Sequence, residues 1–182
     1  MKQFFSSILE IVEITAVAFA AVFLIRSYLV QPFLVSGSSM VPNFSDGDYL
    51  LIDELTYHFR VPERGEVVVF RYPKNESVYF IKRVIGLPGE KIKIEDNHIT
   101  IFNEKNKEGF ALDEKYLPGN LASFGNAEFE VPADSYFVMG DNRAYSFDSR
   151  SWGMLPKADV VGLVQFRLWP PSSIKVFAAP SY

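Results

Sequence analysis

The sequence predicts a mainly β, antiparallel domain carried behind one N-terminal apolar helix. Three observations lead there. Ile8 to Val30 is a 23-residue segment dominated by apolar side chains. After Pro32 the texture changes to short runs in which apolar and polar residues alternate, broken by Gly, Pro, Asn and Asp. Apolar residues at 48% against 22% charged residues give the balance of a chain that buries a core. With 182 residues there is room for one domain and an appendage, not for two full-sized domains.

As a helix the first segment would reach about 34 Å, enough for a bilayer core. Glu10 and Glu13 near its start and Arg26 near its end leave Ile14 to Ile25 uninterrupted, which alone spans about 18 Å. A crossing therefore sets these three charges at the headgroups, with Leu29, Val30, Phe33, Leu34 and Val35 extending the apolar surface. Two alternatives stand beside an anchor. A cleaved export signal suits Lys2 and the small-x-small Ala18-Phe19-Ala20, but its apolar region would have to hold Glu10 and Glu13. A core helix should show a polar face, and Ile14 to Ile25 offers only Thr15. Lys2 precedes the segment and residues 27–59 contain no Lys or Arg, which directs the N-terminus inward. The resulting division is a short cytoplasmic N-terminus at 1–7, an anchor at 8–30 and an extracytoplasmic β-rich domain at 31–182.

Within that domain the strands expected are Asp48 to Leu55, Glu66 to Tyr72, Val78 to Ile85, Lys91 to Glu95, His98 to Phe102, Ser135 to Met139 and Val160 to Trp169. Gly86-Leu87-Pro88-Gly89 and Asp96-Asn97 are the turn signals. Ile92 and Ile94 alternate with Lys91, Lys93 and Glu95, and Ile99 and Ile101 repeat the pattern beyond Asp96-Asn97, which predicts a hairpin wet on one face. Residues 103–126 are polar and aperiodic and read as an insertion loop.

Composition narrows the chemistry. The 18 Lys and Arg against 22 Asp and Glu give no overall electrostatic reason to expect nucleic acid as a partner. The chain has no cysteine, which excludes disulfides, thiolate metal sites and thiol nucleophiles. With only His58 and His98, neither a multi-histidine metal centre nor a Ser-His pair has much to draw on, so hydrolytic chemistry needs another base.

Three places carry polar residues that such chemistry needs. In Ser36-Gly37-Ser38-Ser39-Met40-Val41-Pro42, glycine beside serine lets backbone N–H groups converge on one point, as an oxyanion requires, although an ordinary turn reads the same way. The second place is Lys82, which shares a strand face with Val78, Phe80 and Val84, while Arg83 shares the other with Tyr79, Ile81 and Ile85. Periodicity does not say which face is inside. An arginine stays protonated, whereas burial lowers a lysine by up to about 3–5 units, and a three-unit drop raises its neutral fraction at pH 7 from about 0.04% to about 30%. A snorkelling lysine in an amphipathic strand is the plainer alternative. In Gly140 to Arg150, two acids, two arginines and two serines fall within eleven residues. Asp141 and Asp148 there can pair with Arg83, Arg143 or Arg150, and Ser146 can hydrogen-bond the Lys82 amine. A solvated loop capped by its own Asp and Asn side chains is the competing account.

In order and residue type, these places resemble the bacterial type I signal peptidases, a Ser-Lys dyad family of serine proteases. The resemblance runs over almost the whole chain. It rests on the N-terminal apolar segment, Pro32-Phe33, Ser39-Met40-Val41-Pro42, Gly47-Asp48, Arg64 to Phe70, Ile81-Lys82-Arg83-Val84-Ile85-Gly86-Leu87-Pro88-Gly89, and Gly140-Asp141-Asn142-Arg143 with Ser146, Asp148, Ser149 and Arg150. It implies a barrel-like antiparallel β domain of the signal peptidase and self-cleaving repressor type. By that resemblance Ser39 is the nucleophile, Lys82 its general base, and Ser146 the hydroxyl that positions the lysine. Gly37 stands at the oxyanion loop, and Asp141, Arg143, Asp148 and Arg150 form scaffold. Phe33, Val35 and Ile81 would line shallow pockets for the small-x-small end of secretory preproteins. The implied setting is the plasma membrane, single-pass, in contact with lipid, with the catalytic domain on the extracytoplasmic side. No metal or organic cofactor, nucleic acid or obligate protein partner is implied.

The chain departs from the family pattern at three points. Ala144-Tyr145 replaces the usual Asp-Asn, Asn43 stands where Thr commonly follows the proline, and Gly37 lacks the hydroxyl that some members use as a second oxyanion donor. Lysine rather than histidine at position 82 separates the chain from the eukaryotic and archaeal branch. Two other classes remain at this point. One is a soluble, self-cleaving repressor with a similar Ser-Lys pair, which would need a basic N-terminal domain where this chain is apolar; the other is a membrane-anchored β domain without activity.

Overall fold

Antiparallel pairing organises the domain into two sheets in a computed structural model that describes residues 7–8, 10–20, 30–118 and 125–178. The larger sheet runs in the order β1 (Val30–Leu34), β2 (Tyr49–Asp53), β11 (Val160–Trp169), β3 (Val67–Tyr72), β4 (Asn75–Gly86), β9 (Ser135–Met139) and β10 (Leu155–Pro156), with β12 (Lys175–Val176) pairing β11. The smaller runs β7 (Phe110–Ala111), β6 (His98–Phe102), β5 (Lys91–Glu95) and β8 (Ala127–Glu130). The mainly β expectation holds.

Strands with a clear alternation fall where periodicity puts them. β5 and β6 pair across Asp96 and Asn97, which take φ of 48° and 67°, the left-handed backbone that a tight hairpin turn requires and that Asp and Asn tolerate best. Their isoleucines pack with Ile85, Phe137 and Met139 from the large sheet into one core cluster. A second cluster holds Val35, Met40, Phe44, Leu50 and Val69, beneath the loop that carries Ser39.

Two segments differ from expectation. Residues from Val30 onward, read as the end of an anchor and a lipid-facing extension, instead enter the sheet: Pro32 pairs Leu51 in β1, an end strand, where a residue without an N–H is tolerated. The 103–126 excursion is more than a loop, since β7 lies within it and pairs β6; residues 119–124 of it lie outside the described residues.

Residues 10–20 are helical and exposed along their length, with Ile14 at 69% and Phe19 at 77%. Among the described residues no helix is long and apolar enough to cross a membrane. Residues 1–6, 9 and 21–29, which complete the expected N-terminus and anchor and include Arg26, lie outside those described.

Candidate active site

The Ser39 loop leaves β1, turns through Ser36 to Ser45 and returns as β2. Its two large apolar side chains, Met40 and Phe44, are buried in the core at 1% and 0% exposure, and the Phe44 N–H closes on the Met40 carbonyl at 2.9 Å. At the loop's far end Arg167 donates from Nη1 to Asp48 Oδ2 at 2.9 Å and to the Asn43 carbonyl at 3.0 Å. Ser39 is therefore presented, half-buried, on a turn fixed from below and at its exit.

Lys82 comes from β4, at the point where that strand passes from exposed to buried. From Lys82 to Gly86 both faces are covered, which is why the alternation could not choose between Lys82 and Arg83: they are 3% and 6% exposed. The Lys82 ammonium donates to Ser39 Oγ at 2.7 Å and to its neighbour Ile81's carbonyl at 2.8 Å. Burial pushes its pKa down to about 8, against the opposing pull of the Asp148 and Asp141 charges.

The acids and arginines form defined pairs. Arg83 grips Asp141 with two hydrogen bonds, Nε to Oδ1 at 2.8 Å and Nη2 to Oδ2 at 2.6 Å, and Asn43 donates to the same Oδ2 at 2.8 Å. Arg150 binds both oxygens of Asp148 at 2.8 Å, and the Gly140 N–H adds a third hydrogen bond at 3.0 Å. Burial alone would raise the Asp148 carboxyl; these donors outweigh it and hold the group below the usual aspartate value. Arg143 is buried and pairs not with either aspartate but with Glu114. Neither Glu114 nor Tyr116 beside it showed any sequence signal, because both lie in the aperiodic excursion and reach the site only through tertiary contact.

The 140–148 loop is tied directly to the Ser39 loop. The Asn142 N–H donates to the Ser39 carbonyl at 3.0 Å and its side-chain amide to the Ser38 carbonyl at 3.1 Å. Gly140 sits hard against both: a Cβ there would come within 2.4 Å of the Ser39 carbonyl oxygen and 2.2 Å of Ser146 Oγ.

Two expected details change. Gly37 has φ of +96°, which suits glycine, but its N–H donates to Asp46 Oδ1 at 2.7 Å and so is turned away from any oxyanion. The Ser39 N–H meets no acceptor among the described residues. No hydrogen bond joins Ser146 to the amine in this structure; its buried hydroxyl lies beside Asp148 and is without a partner of good geometry.

A groove of about 320 Å³ opens at Ser39 and Lys82. The three residues expected to contact substrate, Phe33, Val35 and Ile81, all line it, together with Leu50, Val69 and Tyr79. Tyr145 and Phe147, which sequence reasoning did not select, form its rim and are 79% and 53% exposed. The groove lies between the outer edge of β1 and the part of β4 before Arg83, where β4 pairs β3 on one side and has no β9 partner on the other. An unpaired strand edge offers N–H and C=O groups to an extended peptide.

Residues 8–169 match the family described as signal peptidase, peptidase S26. Signal peptidase IB of Staphylococcus aureus is 33% identical over 179 residues, covering 92% of this chain and 93% of its own. Probable signal peptidase I-2 of Synechocystis sp. is 36% identical over 151 residues, covering 80% and 66%. A crystal structure of a signal peptidase I from Enterococcus faecalis aligns with a TM-score of 0.49 at 30% identity, over 58% of this chain and 98% of that one.

Proposed function

Since the chain belongs to the signal peptidase family, peptidase S26, and is an enzyme of the signal peptidase I type, we propose that it removes signal peptides from secretory preproteins with Ser39 as nucleophile and Lys82 as general base. The observation that carries this reading is the 2.7 Å contact between the buried Lys82 Nζ and the half-buried Ser39 Oγ at the floor of the groove. In the neutral amine the contact reverses: the Ser39 hydroxyl donates to the nitrogen lone pair, and Lys82 takes that proton as Oγ attacks the scissile carbonyl. The Ser39 N–H is the backbone donor left for the oxyanion. The protonated amine then gives its proton to the departing amine of the mature protein. Water, deprotonated by the same lysine, hydrolyses the acyl-enzyme.

A neutral amine keeps two N–H groups. One is held by the Ile81 carbonyl, and the unpartnered Ser146 hydroxyl is the acceptor proposed for the other, which would fix the lone pair toward Ser39. The signal peptide's end lies extended between β1 and β4, with Phe33, Val35 and Ile81 shaping pockets suited to small side chains. Residues 8–29 serve as the single membrane anchor, with 1–7 cytoplasmic and the β domain from Val30 on the extracytoplasmic side. Support for the anchor comes from the apolar, exposed helix at 10–20 and from the absence of Lys and Arg after it up to Arg60, Arg26 excepted. Membrane lipid is then a standing contact, and no nucleic acid, cofactor or obligate protein partner enters the mechanism.

Cleavage of a signal-bearing precursor by the full-length chain in vesicles tests the assignment. Ser39→Ala and Lys82→Met should each reduce turnover by about a thousandfold or more. A wild-type rate in either folded variant rejects the dyad. Recovery of the intact chain in the carbonate-soluble fraction rejects the anchor.

A further inference from the structure

Three contacts converge on Glu114 and Tyr116, residues of the 103–126 excursion that the mechanism above does not use. Both oxygens of the Glu114 carboxylate accept from the Arg143 guanidinium, with Nη1 to Oε2 at 2.9 Å, and Arg143 is only 1% exposed. The Tyr116 hydroxyl donates to Glu114 Oε1 at 2.7 Å, and its ring stacks on the Arg83 guanidinium with 4.0 Å between carbon and centroid. The Tyr116 carbonyl accepts from the Asn43 amide at 2.9 Å. One short segment thus touches the loop bearing Ser39 through Asn43, the strand bearing Lys82 through Arg83, and the loop bearing Ser146 through Arg143.

Resting on the reading of Ser39 and Lys82 as the dyad, we propose that Glu114 and Tyr116 are positioning residues that hold those three carriers in register. Charge pairing shows why the site needs an acid here. Asp141 is engaged by Arg83 and Asp148 by Arg150, so the buried Arg143 finds its carboxylate in Glu114. Without it, the buried Arg143 loses its two-point carboxylate contact and its charge is freer to shift toward Asp141 and Asp148, the two acids whose charges act on Lys82. Arg143 also donates from Nε to the Gly140 carbonyl at 3.1 Å, and Gly140 is the residue wedged against the Ser39 carbonyl and Ser146. Movement of Arg143 therefore reaches the nucleophile's backbone through one residue.

The test compares Glu114→Gln, Glu114→Asp and Tyr116→Phe in the full-length chain, reading kcat, KM and the pH profile on a peptide with an Ala-x-Ala site, and thermal unfolding alongside. Glu114→Gln should lower kcat about 10- to 100-fold with KM little changed. Its acid limb should move up toward the ordinary lysine value as water reaches Lys82. Glu114→Asp should recover most of the loss, and Tyr116→Phe should show a smaller loss in the same direction. A Glu114→Gln enzyme that melts earlier yet keeps the wild-type kcat and acid limb overturns the proposal. If that variant does not fold, Tyr116→Phe, which lacks one hydroxyl, decides it, and an unchanged kcat overturns it. Ser39→Ala run in parallel separates the two claims: its full activity overturns the dyad and this inference together, whereas its inactivity beside an unaltered Glu114→Gln overturns this inference alone.

Discussion

The Lys82 amine and the Ser39 hydroxyl lie 2.7 Å apart although the two residues are 43 positions apart in the chain. A base at this point must shed its proton, so cationic character is not enough. Lys82→Arg keeps the charge but a guanidinium is never deprotonated in this pH range. Cleavage by Lys82→Arg should therefore fall as far as in Lys82→Met, measured as single-turnover rate on a precursor. A rate within about tenfold of wild type would mean that the lysine supplies charge and not basicity.

The pH dependence follows from the same nitrogen. With Lys82 at about 8, about 10% is neutral at pH 7, against about 0.03% at its ordinary 10.5. With Lys82 as the proposed base the active form is the neutral one, so kcat/KM should rise nearly tenfold per pH unit below about 8 and flatten above it. An acid limb with its midpoint near that of an exposed lysine, above 10, contradicts the burial of the amine.

Burial of Lys82 also leaves a mark on stability, with a definite sign. Its folded pKa lies below its unfolded one, so between about 8 and 10.5 the unfolded chain binds more protons, and stability rises with pH through that window. Below about pH 8 the charged lysine costs the fold about 3 kcal/mol. Lys82→Met removes that cost. The variant should unfold later than wild type at pH 7, and its advantage should shrink as pH climbs from 8 to 10.5. Denaturation midpoints of the two that run parallel across the window would show that the amine is solvated.

Much of this arrangement was legible in the sequence where one face of an element is wet, as in β5 and β6, or where turns bound an apolar run, as in the wholly buried β9. β5, β6, β9 and β11 begin and end where alternation or an apolar run bounded by turns places them. Ser39, Lys82 and the charges of the 140–150 segment, which the fold brings together, stood out because a serine beside glycine, a lysine among apolar neighbours and clustered acids and arginines are residue types that a plain β surface does not need in those positions. Legibility failed where a segment is covered on both sides, as at Lys82 and Arg83, since period two then carries no inside and outside. It failed at Val30–Leu34 as well, because an apolar edge strand and the end of an apolar anchor have the same composition. Glu114 gave no signal for a third reason: its partner Arg143 is 29 positions away, and a surface glutamate in an aperiodic stretch looks the same until the fold brings the guanidinium to it.

Gly140 makes the most local demand on the site. It follows β9 directly, where the chain must pass between the Ser39 carbonyl and Ser146, and it contributes both its N–H to Asp148 and its carbonyl to Arg143. Its need for glycine lies in space, since a methyl group would stand 2.4 Å from the Ser39 carbonyl oxygen and 2.5 Å from Ser146 Cβ. One neighbour is backbone and cannot swing aside, so Gly140→Ala must push the Ser39 loop away, turn Ser146, or break the Asn142 hydrogen bond to the Ser39 carbonyl. Overpacking of this kind costs about 1–3 kcal/mol. The effect on turnover should be larger than the stability loss suggests, because a displacement of about 1 Å at the nucleophile costs about 100-fold. Gly140→Ala should thus remain folded at 25 °C, with kcat on a signal-bearing precursor down by about that factor. A Gly140→Ala enzyme with wild-type kcat would show that Ser39 does not depend on the backbone packed against it.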